Sequence, residues 1–387
     1  FSFIIKYLCL NVLSQKQVFT QIVGEARLRD IAITVTSGSR NWAQYYSDTG
    51  AKFIRMTNLN RNGITLLLDD LKFVNIQSNS ADGKRTSLQA NDILISITTE
   101  LGKIGFIPEN FGEAYINQHT ALIRIDPNKA HAKFIAYVLS SATMNKTINS
   151  LNDAGAKAGL NLPTIKALSL KLPSIEEQIQ IAETLSTWDN AIQTTEKLLE
   201  NSRQQKKALM QRLLKGNNWL QTDLAELAVI SKGSQLNKNT LSDNGQYAVI
   251  NGGIEPSGYT DKFNTESHTI TISEGGNSCG YIGFQKEKFW CGGHCYALSN
   301  LRINCLFLYQ LLKYNEENIM RLRVGSGLPN IQKKALESFS LSYPQDISEQ
   351  QKIAEILSTA DQEIETLQRK LECLKLEKGA LMQRVFI

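Results

Sequence analysis

The sequence predicts an α+β chain: two globular mixed α/β modules separated by two long helices that pair antiparallel as a coiled coil, with pseudo-two-fold symmetry. Three observations predict it. A segment near the middle returns near the end at a shift of 172 residues. Each copy carries a sustained heptad seam, and upstream of each seam lie β-branched runs separated by loops rich in Gly, Ser, Asn and Lys.

The repeat organises the chain. Ile181-Ala182-Glu183-Thr184-Leu185-Ser186-Thr187-Trp188-Asp189 matches Ile353-Ala354-Glu355-Ile356-Leu357-Ser358-Thr359-Ala360-Asp361, and Ala208 to Arg212 returns as Ala380 to Arg384. Further upstream Ile104-Gly105-Phe106 recurs as Ile282-Gly283-Phe284, His119 falls near His294, Leu28 to Ile33 resembles Leu224 to Val229, and Gly159-Leu160 is matched with Gly327-Leu328. The drifting offset implies loop insertions within one fold. The expected parts are an N-terminal segment plus first module over 1–172, a helix over 173–216, a second module over 217–345 and a second helix over 346–387.

Each helix begins at a capping box, Ser174 with Glu177 and Asp346 with Glu349. From Ile181 the seam steps by four and three through Leu185, Trp188, Ile192, Thr195, Leu199, Ser202, Lys206, Leu209 and Leu213. Its counterpart runs through Ile353, Leu357, Ala360, Ile364, Leu367, Leu371, Leu374, Lys378, Leu381 and Val385. About 40 residues of helix make a rod of roughly 60 Å, and one apolar stripe on such a rod requires a partner. The residues expected to pair are Ile181, Leu185, Trp188, Ile192, Leu199, Ile353, Leu357, Ile364 and Leu371.

Within the modules, Asp92 to Ile97 and His268 to Ser273 read as strands, and Phe134 to Leu139 and Leu306 to Leu311 as matching short apolar helices. The apolar start, Phe1 to Leu13, is too short to span a bilayer and is expected to pack on the body as a helix or strand. No membrane association is expected.

Charge is informative through its distribution. The chain carries 42 Lys+Arg against 37 Asp+Glu, a net +5. The two helical tails hold six basic with six acidic and six basic with eight acidic residues, so the rest holds 30 basic against 23 acidic, which suits a polyanionic partner. Six cysteines without regular spacing fit a reducing cytoplasm better than a disulfide scaffold.

Catalytic signatures are missing: the sequence holds no phosphate loop, no dinucleotide fingerprint and no nucleophile elbow. Cys291 and Cys295 with His294 between them have zinc-ligand chemistry, but the matching His119 has no cysteine nearby, so no metal is expected. What remains is loop chemistry: Arg and Lys for guanine edges and phosphates, Asn and Gln for adenine, Ser for phosphate. In the first module the candidates are Ser39, Arg40, Asn58, Arg61, Lys84, Arg85, Lys103 and Lys157; in the second they are Lys232, Ser234, Gln235, Asn251, Asn277, Arg321, Arg323 and Ser326.

Taken together, Leu172 to Ala182, Ser348 to Ala354, Leu209 to Leu214 and Gly327 to Ile331 resemble the specificity subunit of type I restriction-modification systems, over nearly the whole chain from about Gln21. The resemblance implies two target-recognition domains, each reading half of an asymmetric bipartite site in double-stranded DNA, with the helices as a ruler. It further implies that the helices dock two methyltransferase (modification) subunits and that restriction subunits join for ATP-driven cleavage. S-adenosylmethionine, ATP and Mg are then expected on those partners, and this chain is expected to be non-catalytic and cytoplasmic. On the residues alone two other readings stay open: a metal-dependent nuclease built on Cys291, His294 and Cys295 with a carboxylate, and a coiled-coil scaffold that binds only protein.

Overall fold

A computed structural model describes residues 24–76, 80–151, 159–237, 239, 241–325, 327 and 329–386. The apolar start and the candidates Lys157 and Ser326 lie outside the described residues. Among the described residues no helix is long and apolar enough to cross a membrane.

The chain divides into two compact units, Phe1–Thr194 with Leu371–Ile387, and Thr195–Lys370. Each unit therefore holds one module, the first part of one tail helix or the other, and the last part of the opposite one. The first tail helix is Ile175–Leu213 and the second is Ile347–Val385. Both start where the capping chemistry places them: Ser174 Oγ accepts from Glu177 N at 3.3 Å, and Asp346 Oδ1 accepts from Ser348 N at 2.9 Å.

The first module is built on a four-stranded antiparallel sheet in the order Ala32–Ser37, Thr120–Ile125, Ile93–Ser96, Ile104–Phe106. Ile93, Leu94 and Ile95 are all fully buried, because the sheet is covered on both faces and a continuous apolar run suits that position. Helix Ala132–Ser140 supplies Phe134, Ile135 and Leu139 to the same core. A smaller sheet sets Ala51–Ile54 parallel to Ala114–Ile116. The second module repeats this: Val229–Lys232, Cys295–Ser299, Thr269–Ser273, Ile282–Gln285 in the same order, helix Cys305–Tyr314, and Tyr247–Ile250 parallel to Trp290–Cys291.

Pairing registers confirm the repeat at residue level. Leu94 faces Gly105 in the first sheet and Thr271 faces Gly283 in the second. Leu28 N donates to Leu168 O, as Leu224 N donates to Phe339 O, both at 2.9 Å. One assignment from the sequence is corrected. Leu160 N donates to Ile97 O at 2.9 Å, and the residue making that bond in the second module is Ile331, to Glu274 O at 2.8 Å. The counterpart of Gly159-Leu160 is therefore Asn330-Ile331 rather than Gly327-Leu328; a shared Gly-Leu pair is too short to fix an alignment across an insertion.

The helices pair antiparallel within each unit. In the first, Leu381, Met382, Val385 and Phe386 from the end of the second helix pack on the core that holds Ile181, Ala182 and Leu185 from the start of the first. In the second, Leu209, Met210 and Leu213 pack on the core that holds Ile353, Ala354 and Leu357. These seam residues thus bury against their own module and the opposite helix together. Trp188 and Leu199 are also buried, while Ile192, Ile364 and Leu371 are half-buried. One polar clamp recurs: Gln178, 2% exposed, accepts from His131 N and donates to Pro173 O, both at 2.9 Å. Gln350, fully buried, accepts from Asn304 N at 2.9 Å and donates to Pro344 O at 2.8 Å.

Candidate nucleic-acid interface

Sheet register decides which loops meet. In the first module Ser37 pairs with Ala121, Ser96 with Thr120 and Ile95 with Ile104, so the segments 38–41, 97–103 and 117–119 emerge from one end of the sheet. In the second, Lys232 pairs with Tyr296, Ser273 with Cys295 and Ile272 with Ile282, so 233–237, 274–281 and 292–294 emerge from the equivalent end. Most described candidates stand on these loops or against them.

Both modules begin the surface with Gly-Ser. A Cβ on Gly38 would collide with the Asn117 carbonyl, and one on Gly233 with the carbonyls of Cys291 and Gly292. Only glycine lets the chain leave the sheet so close to its neighbour. Ser39 is 3% exposed; its hydroxyl donates to Asp82 Oδ1 and accepts from Arg85 Nη2 at 2.5 Å. Ser39 therefore ties the short helix Ala81–Thr86, with exposed Lys84 and Arg85, to the loop that carries exposed Arg40. Among the described residues the side chains of Arg40 and Lys84 have no ion pair, so their charges are available.

Two candidates in this module are committed to the fold. Asn58 is 1% exposed, its carboxamide accepting from Arg55 N at 3.0 Å and donating to Leu67 O at 2.8 Å, which closes a turn and leaves nothing to present. Arg61 is half-buried and donates to Leu101 O at 2.5 Å and Asn145 Oδ1 at 3.3 Å, bracing the 97–103 loop. Lys103 is paired with Glu100 at 2.6 Å, and that pairing lowers the Glu100 pKa. His119, half-buried, meets Thr98 Oγ1 at 2.8 Å and Gln118 Nε2 at 2.9 Å, so its polar atoms are spent on holding neighbouring loops.

The second module joins its candidates by a chain of bonds. Ser234 N donates to Cys291 O at 2.9 Å; Asn251 Oδ1 accepts from His294 N at 3.1 Å; Ser278 Oγ donates to Gly252 O at 2.5 Å; and Gly276 N donates to Pro329 O at 3.1 Å. Gln235, Asn251 and Gly292 line a cavity of about 400 Å³ with Leu236 and Val249. Asn277, Arg321 and Arg323 are exposed around the 274–281 turn, and neither arginine has an ion pair among the described residues.

Sequence reasoning missed Glu274 at the centre of this surface. Its carboxylate pairs with Lys232 at 2.5 Å, accepts from Tyr296 OH at 3.2 Å and lies 3.5 Å from His294 Nδ1. Burial first, then Glu274, pushes the Tyr296 hydroxyl up to about 12. Glu274 partly neutralises Lys232 and organises three loops; its signal in the sequence is only its place immediately after a strand. Cys291 and Cys295 are buried, and their thiols point to Cys295 O and Tyr296 O. Among the described residues no group of three or more His, Cys, Asp or Glu is disposed to hold a metal ion.

A family profile described as the type I restriction modification DNA specificity domain matches residues 23–201 and again 217–376. The chain belongs to that family. The double match falls on the same two repeats that the sheets show. Among curated specificity-domain relatives, a putative type I specificity subunit of Mycoplasma genitalium is 35% identical over 158 residues, covering 40% of this chain and 41% of that one. One from Mycoplasma pneumoniae is 36% identical over 159 residues, covering 40% and 42%. The chain thus spans about two-fifths of the length of these relatives. A crystal structure of a type I restriction-modification S subunit from M. genitalium superposes with a TM-score of 0.74 at 19% identity, covering 94% of this chain and 96% of that one, and so shares its fold.

Proposed function

We propose that this specificity-family chain binds double-stranded DNA, each module reading one half of a bipartite asymmetric site, and brings methyltransferase and restriction subunits to it. The observation that carries this reading is the recurrence, at the same sheet end of two modules, of a loop cluster whose scaffold repeats and whose presented side chains do not. A common scaffold with different polar tips is what two readers of different sequences need, since loops held on a rigid sheet supply specificity and the sheet supplies position.

Arg40, Lys84, Arg321 and Arg323 serve phosphates or guanine edges; Gln235, Asn251 and Asn277 present amide chemistry suited to adenine. Ser39 and Arg85 position the first loop. The tail helices carry spacing and partner docking, with exposed apolar side chains outside the seam, Leu198 and Leu376 among them, as contacts for a methyltransferase subunit on each side. Methyl transfer and cleavage, with S-adenosylmethionine, ATP and Mg, belong to those partners, and the complex works in the cytoplasm.

Titration of the full chain with a duplex selected from a random pool, and with a scrambled duplex, tests the reading. The expected preference is about 10³-fold or more, with affinity for both falling steeply as salt rises. Equal affinity for both duplexes would sink it.

A further inference from the structure

Two lysines occupy seam positions that a heptad pattern reserves for apolar side chains, and they are the same position of the repeat, Lys206 and Lys378. Lys378, only 5% exposed, pairs with Asp189 of the opposite helix; Lys206 pairs with Asp361 of the opposite helix at 2.5 Å. Asp189 and Asp361 are again one position of the repeat. A module side chain closes each group: Tyr137 OH donates to Asp189 Oδ2 at 2.6 Å, and Gln310 Nε2 donates to Asp361 Oδ2 at 2.7 Å. The Lys378 ammonium also lies 5.7 Å from the Tyr137 ring centroid.

Both pairs obey one antiparallel register. Seventeen residues forward from Asp189 lies Lys206, and seventeen back from Lys378 lies Asp361. Ser202 Oγ, which donates to Glu363 Oε1 at 3.1 Å, conforms to the same register within two residues.

We propose that the two Asp–Lys pairs are a register lock: they, more than the apolar seam, decide how far one tail helix stands along the other, and through Tyr137 and Gln310 they tie each module to that register. An apolar heptad seam matches itself again after a slide of seven residues, roughly 10 Å, because burial is non-directional. The same slide strips the buried Lys378 ammonium and the half-buried Asp189, Lys206 and Asp361 of their partners, and a desolvated charge tolerates that poorly. Under the proposed function the lock sets the DNA spacer that the chain accepts; that consequence rests on the DNA reading, and the lock itself does not.

The test is made on the full chain with Cys373→Ser. Cysteines are placed at Ser202→Cys with Glu363→Cys for the observed register, or at Ser202→Cys with Lys370→Cys or Ile356→Cys for a slide of one heptad either way, and treated with a short thiol cross-linker. With the lock intact only the 202–363 pair should link. Replacing the lock with apolar side chains, Asp189→Leu, Lys378→Met, Lys206→Met and Asp361→Leu, should leave the melting temperature nearly unchanged, as apolar replacement of largely desolvated pairs commonly does. It should also open a slid register and halve the native link, roughly, as two registers approach equal population. Retention of the native link alone in this variant overturns the proposal.

If that variant does not fold, Asp361→Lys with Lys206→Asp decides. Gln310 Oε1 is buried without a hydrogen-bond partner among the described residues, so a turned carboxamide can accept from the incoming ammonium. The exchange should recover the single register lost in Asp361→Lys alone, and failure to recover it equally overturns the lock. Selection from a random duplex pool separates the two claims: a parent chain that selects no two-part motif removes the DNA reading and leaves the cross-linking result standing.

Discussion

A single side chain or its absence decides much of the loop surface at this end of each sheet. Gly38 and Gly233 are required by close approach, so Gly233→Ala should displace the loop that carries Ser234 and Gln235 at a cost of about 1–3 kcal/mol. Duplex titration should then show discrimination at one half-site falling about tenfold or more while the other half keeps its preference; loss at both halves would show a global defect. Under the proposed function Lys84→Ala should act differently, because its charge has no ion pair among the described residues and suits a phosphate contact. It should weaken all duplexes alike and reduce the slope of log affinity against log salt by about 0.9.

His131 gives a pH prediction. It caps helix Ala132–Ser140 by accepting from Phe134 N at 3.4 Å through Nδ1, and burial first, then Lys133, hold its pKa below the ordinary 6.5. The unfolded chain protonates this imidazole first, so the contribution is whole above about pH 6.5 and is lost as pH falls through the lower folded value. Asn304 caps the equivalent helix, accepting from Phe307 N at 2.9 Å with an amide that does not titrate. In thermal melts from neutral pH down to about pH 5, His131→Asn should flatten the loss of stability on the acid side. An unaltered pH profile would show that the cap contributes nothing.

Elements were legible to the extent that their pattern was periodic. The tail helices could be read because the seam persists for many turns and the capping boxes mark both starts, and the strands at Ile93–Ser96 and Thr269–Ser273 because they are β-branched and bounded by turns. Which polar loop side chains the fold leaves exposed was only partly legible. Polarity and loop composition pointed to Arg40, Lys84 and Gln235, but the same composition pointed to Asn58, whose short polar side chain closes a turn. Composition cannot tell a presented amide from one consumed by the backbone. Glu274 is illegible for the converse reason: an acid that anchors Lys232 and Tyr296 carries no chemistry suited to DNA. Gln178 and Gln350 sat in the motifs that carried the family resemblance, yet their role as clamps emerged only from geometry. Gln350→Ala strands Asn304 N and Pro344 O without partners and should cost about 1–3 kcal/mol of stability in denaturant melts, with duplex preference retained.

At the scale of the whole molecule, duplication divides labour. What repeats, namely the sheets, the Gln clamps and the Asp–Lys pairs, builds and positions; what does not repeat, the tips of the loops, is what the proposed function assigns to telling one target half from the other. The positive surplus falls outside the near-neutral tails, which is the distribution expected if the modules face DNA and the helices face protein, as proposed. The most direct test of that division is selection of bound duplexes from a random pool by the full chain, before and after residues 24–172 are exchanged for the corresponding module of another specificity-family member. The parent chain should select two short motifs at a fixed separation, and the exchange should replace one motif and leave the other motif intact. A single contiguous motif, or a change in both halves after the exchange, would contradict two modules that read DNA independently.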